Sequence, residues 1–167
     1  MLICGMAAQS LDRGETLFDR INRIYDKFGF GFEEAVSFTL EGKEGSEKIS
    51  GAMASMRAEL EAAKNLADAK KLAGGPDVLA VRDYSKSIRY IFSEDGVKTE
   101  PINLVKSNVL LYELGGDKGL DWACARPSGT EPKLKIYFGV YHSDRNAALD
   151  RLATVKKEMS DFVQSKL

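Results

Sequence analysis

Apolar residues recur along this chain with two different periods, and the change of period marks out its elements. Leu17, Ile21, Ile24 and Phe28 are spaced four, three and four apart, which predicts one face of a helix. Thr16 followed by Asp19 resembles a capping arrangement at its start, and Gly29 and Gly31 predict its stop. Met1 to Arg13 reads as another helix that has lost its beginning. Two short helices bury little apolar surface alone. Residues 1–32 are therefore expected to be the helical tail of a preceding domain, and residues 33–167 a domain with its own core.

The period drops to two at Val36, Phe38 and Leu40, the pattern of a half-buried strand. Gly42 to Gly45 are expected to break it. Ser46 is then placed to cap a helix carrying Ile49, Met53, Met56 and Leu60 on one side, running to about Lys64. Ala73-Gly74-Gly75-Pro76 punctuates the chain again. Strands follow at Val78 to Tyr84, around Ile88, Tyr90 and Phe92, at Val109 to Leu114 and at Trp122 to Arg126, with turns at Ser93 to Gly96 and at Gly115-Gly116. The clearest strand alternates Leu134, Ile136, Phe138 and Val140 with Lys135, Tyr137, Gly139 and Tyr141. Asp144 is placed to cap a last helix lined by Leu149, Leu152, Val155, Met159 and Phe162. Hairpin-length connections between the strands predict an α+β fold, an antiparallel sheet with helices packed on one face.

Composition then narrows the function. A chain of 167 residues can bury one sizeable core. Lys plus Arg number 24 against 25 Asp plus Glu, so no basic excess points to nucleic acid, and any anion site has to be local. Trp122, Tyr112, Tyr137 and Tyr141 would suit a base-stacking surface, but no basic groove accompanies them, and no nucleic-acid partner is expected. The apolar start, Met1 to Ala8, has no basic residue before it and is too short to span a membrane. No membrane partner is expected, and the cytoplasm is the default location. Cys4 and Cys124 lie in apolar runs without metal-type spacing and are expected to be free, buried and reduced. His142 reads as a surface or cap-adjacent residue, and Arg82 with Asp83 as an internal ion pair or a solvated pair without chemistry.

Chemistry concentrates in Arg126-Pro127-Ser128-Gly129-Thr130-Glu131-Pro132-Lys133, which interrupts two good strands. Arg126 offers a planar fork matching two phosphate oxygens. Ser128 and Thr130 add hydroxyl donors, and Gly129 permits the positive φ that would turn successive N–H groups toward one anion. Pro127 and Pro132 restrict the connector in advance. Ser-Gly-Thr is also plain turn composition, and an arginine at a strand end is commonly solvated. Residue types alone leave both readings open.

That segment, followed by Leu134 to Val140, resembles the signature of the C-terminal domain of the α-D-phosphohexomutases, the superfamily of the phosphoglucomutases and phosphomannomutases. Thr39-Leu40-Glu41-Gly42-Lys43-Glu44-Gly45, Val81-Arg82-Asp83-Tyr84 and Ser107-Asn108-Val109-Leu110 resemble segments of bacterial phosphoglucomutases in the same order, and the likeness runs from about Leu11 to Val140. The resemblance implies a four-domain enzyme whose last domain has a TATA-box-binding-protein-like fold. It implies that a phosphoserine elsewhere exchanges a phosphoryl group with the C1 and C6 positions of a sugar, while the last domain grips the phosphate that is not reacting. Carried onto this chain, Arg126, Ser128, Gly129 and Thr130 would form that grip, with Lys135 or its competitor Lys133 as a further basic ligand. The implied partners are glucose or mannose phosphates, their bisphosphate intermediate and the other domains of the same enzyme, with glucose phosphates favoured by the bacterial likeness.

The resemblance also implies Mg2+ for the full-length enzyme but none bound by this chain, which has no Asp-x-Asp run. Its one histidine, His142, follows Tyr141 instead of the serine that the family phosphorylates. The chain alone is thus expected to be inactive, with no catalytic residue of its own. The alternative is a stand-alone module of the same fold that binds a phosphorylated ligand or a protein partner. An exposed apolar patch within residues 1–32 would favour the mutase reading.

Overall fold

Alternation sends successive side chains to opposite faces of a sheet, and here it does so across seven strands. The computed structural model describes residues 1–75 and 77–167; Pro76, the last residue of the expected Ala73–Pro76 turn, lies outside the described residues. The strands are β1 (Phe30–Thr39), β2 (Val78–Asp83), β3 (Ile88–Ser93), β4 (Gly96–Pro101), β5 (Leu110–Leu114), β6 (Asp121–Pro127) and β7 (Lys133–His142). They pair antiparallel throughout, in the order β1-β7-β6-β5-β2-β3-β4. The helices among the described residues are α1 (Leu2–Asp12), α2 (Leu17–Phe28), α3 (Gly42–Ala62), α4 (Leu66–Ala69) and α5 (Arg145–Gln164). The α+β architecture is as the patterning indicated.

One face of the sheet is closed by α3 and α5. Ile49, Met53, Met56 and Leu60 of α3 and Leu152, Val155, Met159 and Phe162 of α5 join Leu134, Ile136 and Phe138 of β7 in a single apolar cluster. Asp144 caps α5, accepting from the Ala147 N–H at 2.8 Å. Two buried carboxylates tie this layer to its surroundings. Asp121 accepts from Arg151 Nε at 2.8 Å and from the Tyr141 N–H at 2.9 Å. Asp83 accepts from Arg57 Nε at 3.1 Å, while Arg57 Nη2 reaches Asn108 at 2.7 Å.

Several expectations shift. The first strand begins at Phe30, so the expected boundary between residues 32 and 33 falls inside β1. Glu34 had hidden the earlier Phe30 and Phe32 by interrupting the apolar alternation; it is satisfied by Lys156 Nζ at 2.5 Å. Gly42 to Gly45 do not merely break the strand but form the first turn of α3. Ser46 lies inside that helix, its hydroxyl directed back to the Gly42 carbonyl at 3.5 Å. On α5, Leu149 is exposed and Ala148 takes the buried position. Arg82 and Asp83 do not pair, because neighbours along a strand face opposite ways. Cys4 is exposed on α1 and Cys124 half-buried on β6; both are free thiols.

The α1–α2 hairpin stands apart from this core. Thr16 and Asp19 form the expected reciprocal cap, yet no residue of α2 is buried. Leu2, Ile3, Leu11, Phe18, Ile21, Ile24 and Phe28 are all exposed. The helical period is therefore right, while most of the apolar face it describes stays exposed, with only Leu17 half-buried.

Candidate functional site

The uncovered face of the sheet carries the other parity of the same strands. Ladder pairing sets Ser37, Lys135 and Arg126 in one row, and Ala35, Tyr137, Cys124 and Leu111 in the next. Gly139 pairs with Trp122, and the indole lies so close that a Cβ built at Gly139 would stand 2.2 Å from Trp122 Nε1. The result is a shallow depression of about 750 Å³ whose wall includes Arg82, Leu111, Trp122, Cys124, Arg126 and Tyr137. Tyr112, grouped with these aromatics on sequence, is buried on the opposite face, so no continuous stacking surface forms.

At one end of the depression β6 hands over to β7 through the connector Ser128–Pro132. Its backbone is only partly spent. The Ser128 N–H donates to the Lys133 carbonyl at 2.7 Å and the Lys133 N–H to the Glu131 carbonyl at 2.8 Å. The Thr130 N–H makes a long contact of 3.4 Å with the Ser128 hydroxyl. The Gly129 and Glu131 N–H groups meet no acceptor among the described residues. Gly129 is not among the glycines with positive φ, and space around its Cα is open. The expected cradle of successive amides across Ser128, Gly129 and Thr130 is therefore absent in this form. The connector is long enough to close by extending the strand ladder through Ser128, which consumes that amide and removes the need for a left-handed residue.

The six candidate residues divide accordingly. Arg126 is exposed and sits directly opposite Lys135, half-buried, on the ladder. Neither cation has a hydrogen bond or ion pair to another described residue. Two like charges placed directly opposite on adjacent strands destabilise a sheet unless something compensates them. Ser128 is half-buried, while Gly129 and Thr130 are exposed at the tip. Lys133 is engaged, its Nζ bonded to Glu131 at 2.9 Å. That bond, with the charges of Lys133 and then Lys135, holds the Glu131 carboxyl below the usual glutamate range. Beneath Arg126, burial pushes the Cys124 thiol up while the Arg126 charge pulls it the other way, which leaves it a poor nucleophile.

Sequence reasoning missed the far wall. Arg82 Nε meets Glu113 at 2.5 Å, and Arg89 reaches the same carboxylate through Nε at 2.8 Å and Nη2 at 2.5 Å. Burial raises the Glu113 carboxyl, but the hydrogen bonds from Arg89 and Arg82 outweigh it and leave it lowered. These three residues come from three strands, and no spacing in the sequence announces them. His142 is cap-adjacent as expected, its Nδ1 accepting from the Asp144 N–H at 2.8 Å. No group of three or more His, Cys, Asp or Glu side chains able to hold a metal gathers among the described residues. No described helix is long and apolar enough to cross a membrane.

No family model matches the chain. It is 35% identical over 138 residues to a phosphoglucomutase of Staphylococcus aureus (strain USA300), covering 81% of this chain and 22% of the relative. It is 32% identical over 131 residues to a phosphoglucomutase of Staphylococcus haemolyticus (strain JCSC1435), covering 77% and 21%. The chain thus spans about a fifth of the length of these relatives. Among solved structures, the open form of the Paramecium exocytosis-sensitive phosphoprotein pp63/parafusin, a phosphoglucomutase, aligns with 89% of this chain and 23% of its own, at 16% identity and a TM-score of 0.45.

Proposed function

We propose that this chain, a relative of the phosphoglucomutases, supplies the phosphate grip of a phosphoglucomutase or phosphomannomutase, holding the sugar phosphate's non-reacting phosphate while the other end is transferred. The observation that carries this reading is the pair Arg126 and Lys135, set side by side on the β6–β7 ladder without a carboxylate partner among the described residues. A phosphate dianion between them would turn a repulsive pair into two charge-assisted contacts. Ser128 and Thr130 offer hydroxyls, and Gly129 an N–H, at the adjoining tip. Lys133, spent on Glu131, is the weaker candidate.

The division of labour makes physical sense. A grip that must take either end of a bisphosphate should read charge and phosphate geometry, not sugar hydroxyls. Holding the remote phosphate supplies positioning energy for transfer at the other end. Glucose phosphates are the favoured substrates, because the similar chains are phosphoglucomutases. The Mg2+ implied for such an enzyme finds no acidic cluster among the described residues, so none of this chain's side chains is assigned to it. The bare apolar face of α1 and α2 supports a place beside other domains of the same enzyme, with these two helices, and not the start of β1, belonging to a preceding domain. The two free thiols suit a cytoplasmic setting.

Titrating inorganic phosphate into isotopically labelled chain, with amide resonances followed by NMR, tests the assignment. The largest shifts are expected at Arg126, Ser128, Gly129, Thr130 and Lys135, with smaller ones in the segments bonded to the connector. A response spread elsewhere, or none, would remove the site.

A further inference from the structure

The connector's far end is anchored by a neighbouring strand, and that anchor leans on a helix. We propose that Gly45 is a positioning residue for the phosphate grip, acting through Leu40; this rests on the phosphate reading above. Leu40 follows the last residue of β1, and its N–H donates to the carbonyl of Pro132, the final connector residue, at 2.9 Å. Thr39 pairs with Lys133 in the β1–β7 ladder, so this bond carries the ladder one step onto the connector itself.

Behind Leu40 lies the first turn of α3. Gly45 is buried there, and a Cβ built on it would stand 2.7 Å from the Leu40 Cβ and 3.0 Å from the Leu40 carbonyl carbon. Only a residue without a side chain allows that approach. The turn cannot simply back away, because Ile49, Met53 and Met56 hold the rest of α3 in the core. A methyl group at position 45 therefore pushes Leu40, and Leu40 carries Pro132. With its φ fixed by the ring, Pro132 passes the displacement on to Glu131 and Thr130 instead of absorbing it. Gly51, in the same helix, has open space around it and no such constraint.

The test is phosphate affinity in the full chain, with inorganic phosphate as the probe. Gly45→Ala should raise the dissociation constant about tenfold, the scale expected when binding groups are misplaced by a fraction of an ångström. It should also move the Leu40 and Thr130 amide resonances before any phosphate is added. Gly51→Ala, and the core truncation Leu152→Ala on α5, should leave affinity within about twofold, whatever they do to the melting temperature. The double variant Gly45→Ala with Leu40→Gly, which removes the opposing Cβ, should recover part of the lost affinity. If Gly45→Ala does not fold, hydrogen exchange in the wild type decides: the Leu40 amide should be slowed by saturating phosphate, and an unchanged rate overturns the proposal. Wild-type affinity in folded Gly45→Ala, or an equal loss in Leu152→Ala, also overturns it. A wild-type chain that binds no phosphate would instead sink the site reading itself, and Arg126→Ala separates the two cases by weakening binding only where a site exists.

Discussion

The two faces of the sheet are built from alternate residues of the same strands, yet they serve different ends. On β7, Leu134, Ile136, Phe138 and Val140 are buried beneath α3 and α5. Their neighbours Lys135, Tyr137 and Tyr141 stay partly open and continue into Trp122 and Arg126 of β6. Folding free energy is concentrated on the first parity, because apolar area is removed from water there. The second parity carries, in Arg126 and Lys135, two cations without an ion-pair partner among the described residues. One backbone fixes both, so stability and the proposed anion site should be separable by mutation, one face at a time.

The strongest way to break that separation is to cut into the covered face. Phe138→Ala leaves a cavity between β7 and the helices and should cost about 3–5 kcal/mol, read as a lower urea midpoint. Phosphate affinity, measured well below that midpoint, should hold. A loss of affinity without a loss of stability would reverse the assignment of the faces.

A sharper comparison lies within the open face. Lys135→Ala should weaken phosphate binding by about 1.5–3 kcal/mol, since it removes one charge-assisted contact. Lys133→Ala should cost much less, because that ammonium already serves Glu131. Calorimetric titration of both variants checks the difference, and equal losses would dissolve it.

The smallest effect concerns the far wall. The Arg89 and Arg82 hydrogen bonds keep the Glu113 carboxyl below its ordinary range despite burial. A carboxylate favoured in the fold adds stability above the unfolded glutamate value, about 4.3, and that stability is lost as pH falls through the lowered folded value. Glu113→Gln should therefore cost at most about 1 kcal/mol near neutrality, these side chains being partly solvated. Thermal melts between about pH 3 and pH 7 should show a shallower acid decline in the variant than in the wild type.

Much of the fold could be read in advance because its periods are strict. β5, β6 and β7 alternate cleanly, and α2 follows its spacing and cap to the residue. The strand β4 escaped notice because Gly96 to Pro101 carries a single aliphatic residue, Val97, as an edge strand with one neighbour can. The start of α3 was obscured by glycines, whose low helix propensity is overridden at Gly45 by the need to approach Leu40. For the site, the connector stood out by its residue types. The facing of Arg126 and Lys135 did not, since it depends on ladder register across the connector, and register is a property of pairing. The engagement of Lys133 by Glu131 and the gathering of Arg82, Glu113 and Arg89 depend on side-chain placement across turns and strands, which no local pattern encodes.

The claim on which the rest depends is that Arg126 meets a phosphate at the mouth of the β6–β7 connector. Calorimetric titration of inorganic phosphate into wild type and Arg126→Ala, with thermal melts of both, tests it directly. The expected result is an affinity lower by roughly 10- to 150-fold in the variant, with its melting temperature essentially unchanged. Equal affinity in the two proteins would contradict it.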